Sequence, residues 1–126
     1  MINPDQLPPI HHHLGGHDIA WDDTQGILQI KYVTKDSFTN PRGSVEGGML
    51  CAILDDVMGI LSVFHQGSKP AATINMHIDF FKPCQVGEVT AKAWFIKQGS
   101  RVLSMESEVW QDDKRIAKCS SAFLVL

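Results

Sequence analysis

The chain has 126 residues, 44% of them hydrophobic and 20% charged, with a formal net charge of −3. That is the size and composition of one globular domain, and it argues against a disordered or collagenous chain and against two independent folding units. Lys and Arg never run longer than a dipeptide, so the phosphate-binding footprint of a nucleic-acid partner is missing. A weakly acidic protein can still hold an anionic ligand through a few local cations or backbone N–H groups.

Cys51, Cys84 and Cys119 lie far apart without a CxxC pair, which argues against a disulfide framework and against a cysteine zinc site. The opening MINPDQLPPI lacks the basic-then-apolar pattern of a signal peptide. No apolar run approaches the roughly 20 residues of a membrane helix. The expectation is a reduced, cytoplasmic protein with no membrane partner. His11, His12 and His13 are consecutive. Three adjacent side chains on one short segment cannot easily converge on an ion, so the expectation there is a surface segment and not a metal site.

Residues 1–16 hold Pro4, Pro8, Pro9, Gly15 and Gly16, which predicts an irregular arm with one short helical turn at most. A short strand from His17 to Trp21 and a second from Ile27 to Val33 form a hairpin joined near Asp22–Gln25. A polar loop, KDSFTNPRGS, follows over residues 35–44. Val45 to His65 then reads as a helix apolar nearly all round, and a helix of that kind is buried. Gly67 is its natural stop signal.

Four strand-like stretches complete the chain. In Ala71–Pro83, Ile74, Met76, Ile78 and Phe80 alternate with Asn75, His77 and Asp79, which places His77 away from the core. Glu88–Gln98, Arg101–Gln111 and Lys114–Leu126 follow, with breaks at Pro83–Gly87, Gly99-Ser100 and Asp112-Asp113. Two strands, one buried helix and four strands predict an α+β fold, with an antiparallel sheet wrapped around one long central helix. Large aromatics on the late strands, Trp94, Phe95 and Trp110, are expected in the core or in a subunit interface.

Asp55 and Asp56 interrupt the apolar helix at its midpoint. Aspartate is a poor interior helix former, and burying its charge without partners costs several kcal/mol, roughly. Successive helical residues point about 100° apart, so the two carboxylates meet different surroundings. For Asp56 the expected place is solvent at the helix side or an oligomer seam. Asp55 is the candidate for chemistry, because Gly47 and Gly48 open the same helix. Glycines there leave backbone N–H groups sterically free at the positive end of the helix dipole, a place suited to a developing oxyanion. A carboxylate two turns on could activate water or attack the polarised carbonyl.

The stretch Asn40-Pro-Arg-Gly43-Ser-Val-Glu46-Gly47-Gly48-Met-Leu-Cys-Ala-Ile-Leu-Asp55 resembles the hotdog-fold acyl-CoA thioesterases, and among them the phenylacetic-acid-degradation group. Ala72 to Pro83 is similar to that family's long strand after the helix, and the resemblance runs from about Gly15 to the C-terminus. It implies one hotdog domain over residues 1–126 and hydrolysis of an acyl-CoA thioester, with no cofactor beyond the CoA of the substrate. It also implies a homodimer or homotetramer whose sites form across the dimer interface. On this resemblance Asp55 is the nucleophile or general base, the Gly47 N–H polarises the thioester carbonyl, Asn40 positions the thioester or the water, and Thr73 orients the water. Gly48, Met49, Met58 and Phe80 are the candidate substrate-binding positions, the last three as walls of an acyl tunnel. Glu46 departs from the family pattern, which most often has His there, and an ionised Glu can only accept hydrogen bonds.

Three functions stay open at this level. One is the thioesterase. Another is a hydratase or dehydratase on the same fold, for which the missing His at position 46 counts against and His77 is the remaining candidate. The third is a non-catalytic acyl-thioester binding protein, which would accommodate Glu46.

Overall fold

The computed structural model describes residues 6–65 and 69–126. The expected stop at Gly67 therefore lies outside the described residues. In chain order the elements are α1 (Pro9–His13), β1 (His17–Asp22), β2 (Ile27–Val33), α2 (Gly47–His65), β3 (Ala71–Phe80), β4 (Glu88–Gln98), β5 (Val102–Gln111) and β6 (Lys114–Val125). All strand pairings are antiparallel, and they form a six-stranded sheet ordered β1-β2-β4-β5-β6-β3. The strand after the helix therefore does not pair with its sequence neighbour. It crosses to the far side and lies against β6, leaving its other side as an edge of the sheet.

The alternation in the sequence sets which side chains meet the helix. On β5, Leu103, Met105, Ser107 and Val109 turn inward and are buried, while Glu106 and Glu108 turn outward. On β2, Leu28, Ile30 and Tyr32 do the same. From the helix, Ile53, Leu54, Val57, Met58 and Leu61 fill the space beneath them with no exposure at all. The β5–β6 turn at Asp112 and Asp113 holds both residues at positive φ, 50° and 62°, as a two-residue primed hairpin turn requires.

Two expectations change here. Averaged over Gly47–Phe64, α2 is long and apolar enough to cross a membrane by length and composition, although the Asp pair breaks any uninterrupted run. The sheet packed on it accounts for that composition, because an all-round apolar helix is what a wrapped core element needs. The second change concerns β3. Thr73 pairs with Phe123 and Asn75 pairs with Ala122, so Ile74 is an extra, bulged residue. Beyond the bulge Met76 and Ile78 pack against the core and His77 is exposed, as the alternation predicts. Ile74 loses its inward place and is 53% exposed.

Candidate active site

The loop before α2 is organised by Asn40. Its Oδ1 accepts the backbone N–H of Arg42 at 2.9 Å and of Ser44 at 3.3 Å, and its Nδ2 donates to Ser44 Oγ at 3.0 Å. Glu46 caps the helix. Its backbone oxygen accepts from Met49 and Leu50, and its carboxylate Oε1 accepts the Gly47 N–H at 3.0 Å. An anion therefore already occupies the N–H that the sequence offered to an oxyanion, which suits the orphan donors and dipole of a helix start. The Phe80 ring lies over Gly47, and a Cβ placed there would come within 3.3 Å of it. Gly48 is exposed and a Cβ there would meet nothing.

Two turns on, Asp55 is half-buried and opens into a cavity of about 800 Å³. Thr73 Oγ1 donates to Asp55 Oδ1 at 2.7 Å. The β3 bulge makes this contact, because strict alternation would turn Thr73 to the outer face with Asn75 and His77. Bulges re-aim side chains in this way beside functional sites. Asn75 and Ser121 support the irregular register: Asn75 Oδ1 accepts the Ala122 N–H at 3.1 Å, and Ser121 Oγ donates to the Asn75 carbonyl at 2.6 Å. Around Asp55 the cavity wall is mostly apolar, with Ala52, Ile60 and Val63 from α2, Phe123 from β6, and Leu7 and Ile10 from the N-terminal segment, beside the polar Gln6 and Asp56.

Asp56 does not reach solvent. Only 4% of its side chain is exposed, and its Oδ2 is held by His11 Nδ1 at 2.7 Å and by Tyr32 Oη at 2.8 Å. A carboxylate oxygen accepts, so both partners donate to it, His11 through Nδ1. His11 Nε2 is buried without a hydrogen-bond partner. The expected surface histidine is thus 1% exposed and forms part of the core. Gly16 makes room for its ring, since a Cβ there would collide with the His11 imidazole. Burial first, then the charge and hydrogen bond of Asp56, push the Tyr32 hydroxyl far above its ordinary range, so it stays protonated as a donor. This arrangement ties the N-terminal segment and β2 to the middle of α2.

Of the expected site residues, the structure brings Asp55 and Thr73 into contact and groups Glu46, Gly47 and Phe80 at the helix start. Asn40 engages its own loop. Met49 is half-buried against the core, and Met58 is fully buried within it and does not line the cavity. Its place in the helical stripe facing the sheet explains this. His77 pairs with Asp79 on the exposed face at 3.4 Å and does not line the Asp55 cavity. The sequence reading missed His11 and Tyr32, and did not single out Gly59, which lines the Asp55 cavity. The signal for the first two was Asp56 itself, a mid-helix carboxylate that requires donors if buried.

A six-stranded antiparallel sheet around one long helix, with a carboxylate at mid-helix and glycines at the helix start, defines the hotdog class of fold. Residues 42–118 match the family model of the thioesterase superfamily, and the chain belongs to that family. It is similar to a crystal structure from Ralstonia eutropha JMP134, named a phenylacetic acid degradation-related protein. The two share 34% identity at a TM-score of 0.88, covering 94% of this chain and 91% of the other. The conserved protein PA5202 of Pseudomonas aeruginosa is 26% identical with a TM-score of 0.87, over 98% of both chains. A Buchnera aphidicola protein named an uncharacterized acyl-CoA thioester hydrolase is 33% identical over 87 residues, which is 68% of this chain and 64% of that relative. The match thus spans less than two thirds of that relative's length.

Proposed function

We propose that this chain hydrolyses an acyl- or aryl-CoA thioester to the free acid and CoA, with Asp55 as general base or nucleophile. The observation that carries the reading is the 2.7 Å Thr73–Asp55 hydrogen bond in the wall of a largely apolar cavity. A carboxylate fixed by one hydroxyl keeps its second oxygen for a water proton or a carbonyl carbon. Acting as base, Asp55 takes a proton from water as the hydroxide oxygen adds to the thioester carbonyl. The oxyanion is met by the Gly47 N–H, the C–S bond breaks, and the CoA thiolate leaves to be protonated.

Gly47 and Asp55 of one chain are eight residues apart on a single helix, about 12 Å at its rise per residue, so in this reading the helix start of a second copy, with its Asn40 and Gly47, meets the carbonyl that Asp55 serves. The free edge of β3, with Ile74 and Phe80 exposed beside it, is a surface suited to self-association as a homodimer, and two dimers give a homotetramer. The Glu46 carboxylate on the Gly47 N–H must swing away for turnover. That contact is the one observation favouring a second reading, a protein that binds acyl thioesters and turns them over slowly or not at all. A hydratase is disfavoured, since no histidine lines the Asp55 cavity among the described residues. The reaction requires no cofactor beyond the substrate's CoA and no nucleic-acid or membrane partner, and the cytoplasm is the compartment we propose.

The test is thiol release from a panel of short, medium and long aliphatic acyl-CoA substrates and one aromatic one, with Asp55→Ala beside wild type. Release that disappears in Asp55→Ala is the expected result. Release by neither protein on any substrate overturns the hydrolase reading in favour of the binding protein.

A further inference from the structure

Gly59 is a cost without a visible return in the packing of this chain. It sits in the interior of α2, where glycine is less favourable than alanine by about 1 kcal/mol. Nothing in the backbone demands it, since Gly59 is not among the positive-φ glycines. Nor does close packing demand it, because a Cβ there would meet only a Phe123 ring carbon at 4.0 Å, an ordinary contact. What Gly59 does face is the Asp55 cavity.

That cavity has a direction. Ala52, Asp55, Gly59 and Val63 fall at helical spacing along one stripe of α2, so its floor runs from the carboxylate towards the helix C-terminus. From Asp55 to Val63 is about 12 Å of helix, with Gly59 about 6 Å along it. A roof is supplied by Leu7 and Ile10, which the buried His11–Asp56–Tyr32 cluster fastens over the helix. Its polar lining is Asp55, Asp56, Thr73 and Gln6, and along the helix beyond Asp56 the floor is apolar, with Gly59, Ile60 and Val63. A saturated chain advances about 1.25 Å per C–C bond, from a bond of about 1.52 Å and a near-tetrahedral angle. The full trough thus takes a chain of about eight to ten carbons, and the part before Gly59 takes about four or five.

The geometry points to Gly59 as the residue that sets acyl length, its missing side chain leaving open an apolar trough for an unbranched medium-chain acyl group of a CoA thioester. This rests on the hydrolase reading for the thioester, but the fit of the chain is independent of turnover. Gly59 is a specificity residue that touches the acyl chain and not the reacting atoms.

The experiment compares wild type, Gly59→Ala and Gly59→Leu in kcat/KM for butyryl-CoA and decanoyl-CoA. In parallel, calorimetry measures binding of a non-hydrolysable decyl-CoA thioether. The decanoyl-to-butyryl ratio should fall at least tenfold in Gly59→Leu and a few-fold in Gly59→Ala, and the thioether should bind Gly59→Leu at least tenfold more weakly. Gly59→Ala should melt no lower than wild type, which keeps the series readable if Gly59→Leu folds poorly. An unchanged ratio with unchanged thioether affinity overturns the assignment. So does a change of oligomeric mass in either variant, which would make Gly59 a packing glycine between copies. If wild type releases no thiol but binds the thioether, and Gly59→Leu binds it at least tenfold more weakly, the hydrolase reading fails while the length assignment holds.

Discussion

Asp55 and Asp56 are the same residue type, one step apart on the same helix, and the fold gives them opposite surroundings. Asp55 looks into an open cavity with a single hydroxyl donor, Thr73. Asp56 looks into the core, where a histidine and a tyrosine both donate to one of its oxygens. The 100° turn between neighbours on a helix is what separates them. A carboxylate is available for chemistry when the protein leaves its hydrogen-bonding capacity unfilled, and it is structural when donors from distant segments converge on it. Here the structural carboxylate also serves its neighbour, because the segment it anchors through His11 carries Leu7 and Ile10 into the wall of the Asp55 cavity.

Exchanging either carboxylate should separate the two roles. The largest effect belongs to Asp55→Asn, which keeps the shape and the Thr73 contact but removes the base. Thiol release should fall by about 10²- to 10⁴-fold, while the urea midpoint stays near that of wild type. Equal losses of activity and stability would erase the distinction. Asp56→Ala should do the reverse, stranding two buried donors and releasing the N-terminal segment, at about 3–5 kcal/mol of unfolding free energy. Equilibrium urea unfolding reads it. Tyr32→Phe is the milder form, removing one donor and leaving His11 on the carboxylate, and should cost about 1.5–3 kcal/mol.

The same pair shows how much the sequence disclosed. The six strands, the buried helix and the hairpin breaks were legible because each repeats a periodicity over many residues, and errors at single positions average out. Asp55 stands out as a candidate in the sequence too, as an ionisable group in an apolar helix opened by two glycines. What was not legible required contacts between distant segments. His11 read as a surface residue because its own neighbourhood is polar, and only Asp56, 45 positions away, makes it a core residue. Thr73 was assigned to the site by family resemblance, yet its alternation pointed it outward. A bulge, which leaves no periodic trace, turned it inward. Gly59 carried no signal at all until the cavity beside it was visible.

Alkali gives the smallest and most selective contrast between the two sides of α2. On the Asp55 side, burial, more than the charges of Cys51 and Asp55, raises the Cys119 thiol from 9.0 to about 11; elsewhere in the core, burial alone raises the Cys84 thiol to about 11. On the Asp56 side, Tyr32 is pushed well beyond that range. All three groups favour the protonated form in the folded state. Their contribution is therefore complete below the unfolded values and is lost as pH rises, since the unfolded chain releases protons that the folded chain retains. The thiol part should decline from about pH 9 to about pH 11, and then level off. The tyrosine part should keep declining from its unfolded value of 10.0. Tyr32 is the only tyrosine in the chain, so the tyrosinate absorption band reports this one side chain. That band should stay absent while the thiols titrate and appear only together with loss of the near-ultraviolet circular dichroism of the fold. A tyrosinate signal developing at ordinary tyrosine pH in a chain that is still folded would mean that Asp56 and its donors are open to water, and the contrast between the two carboxylates would not stand.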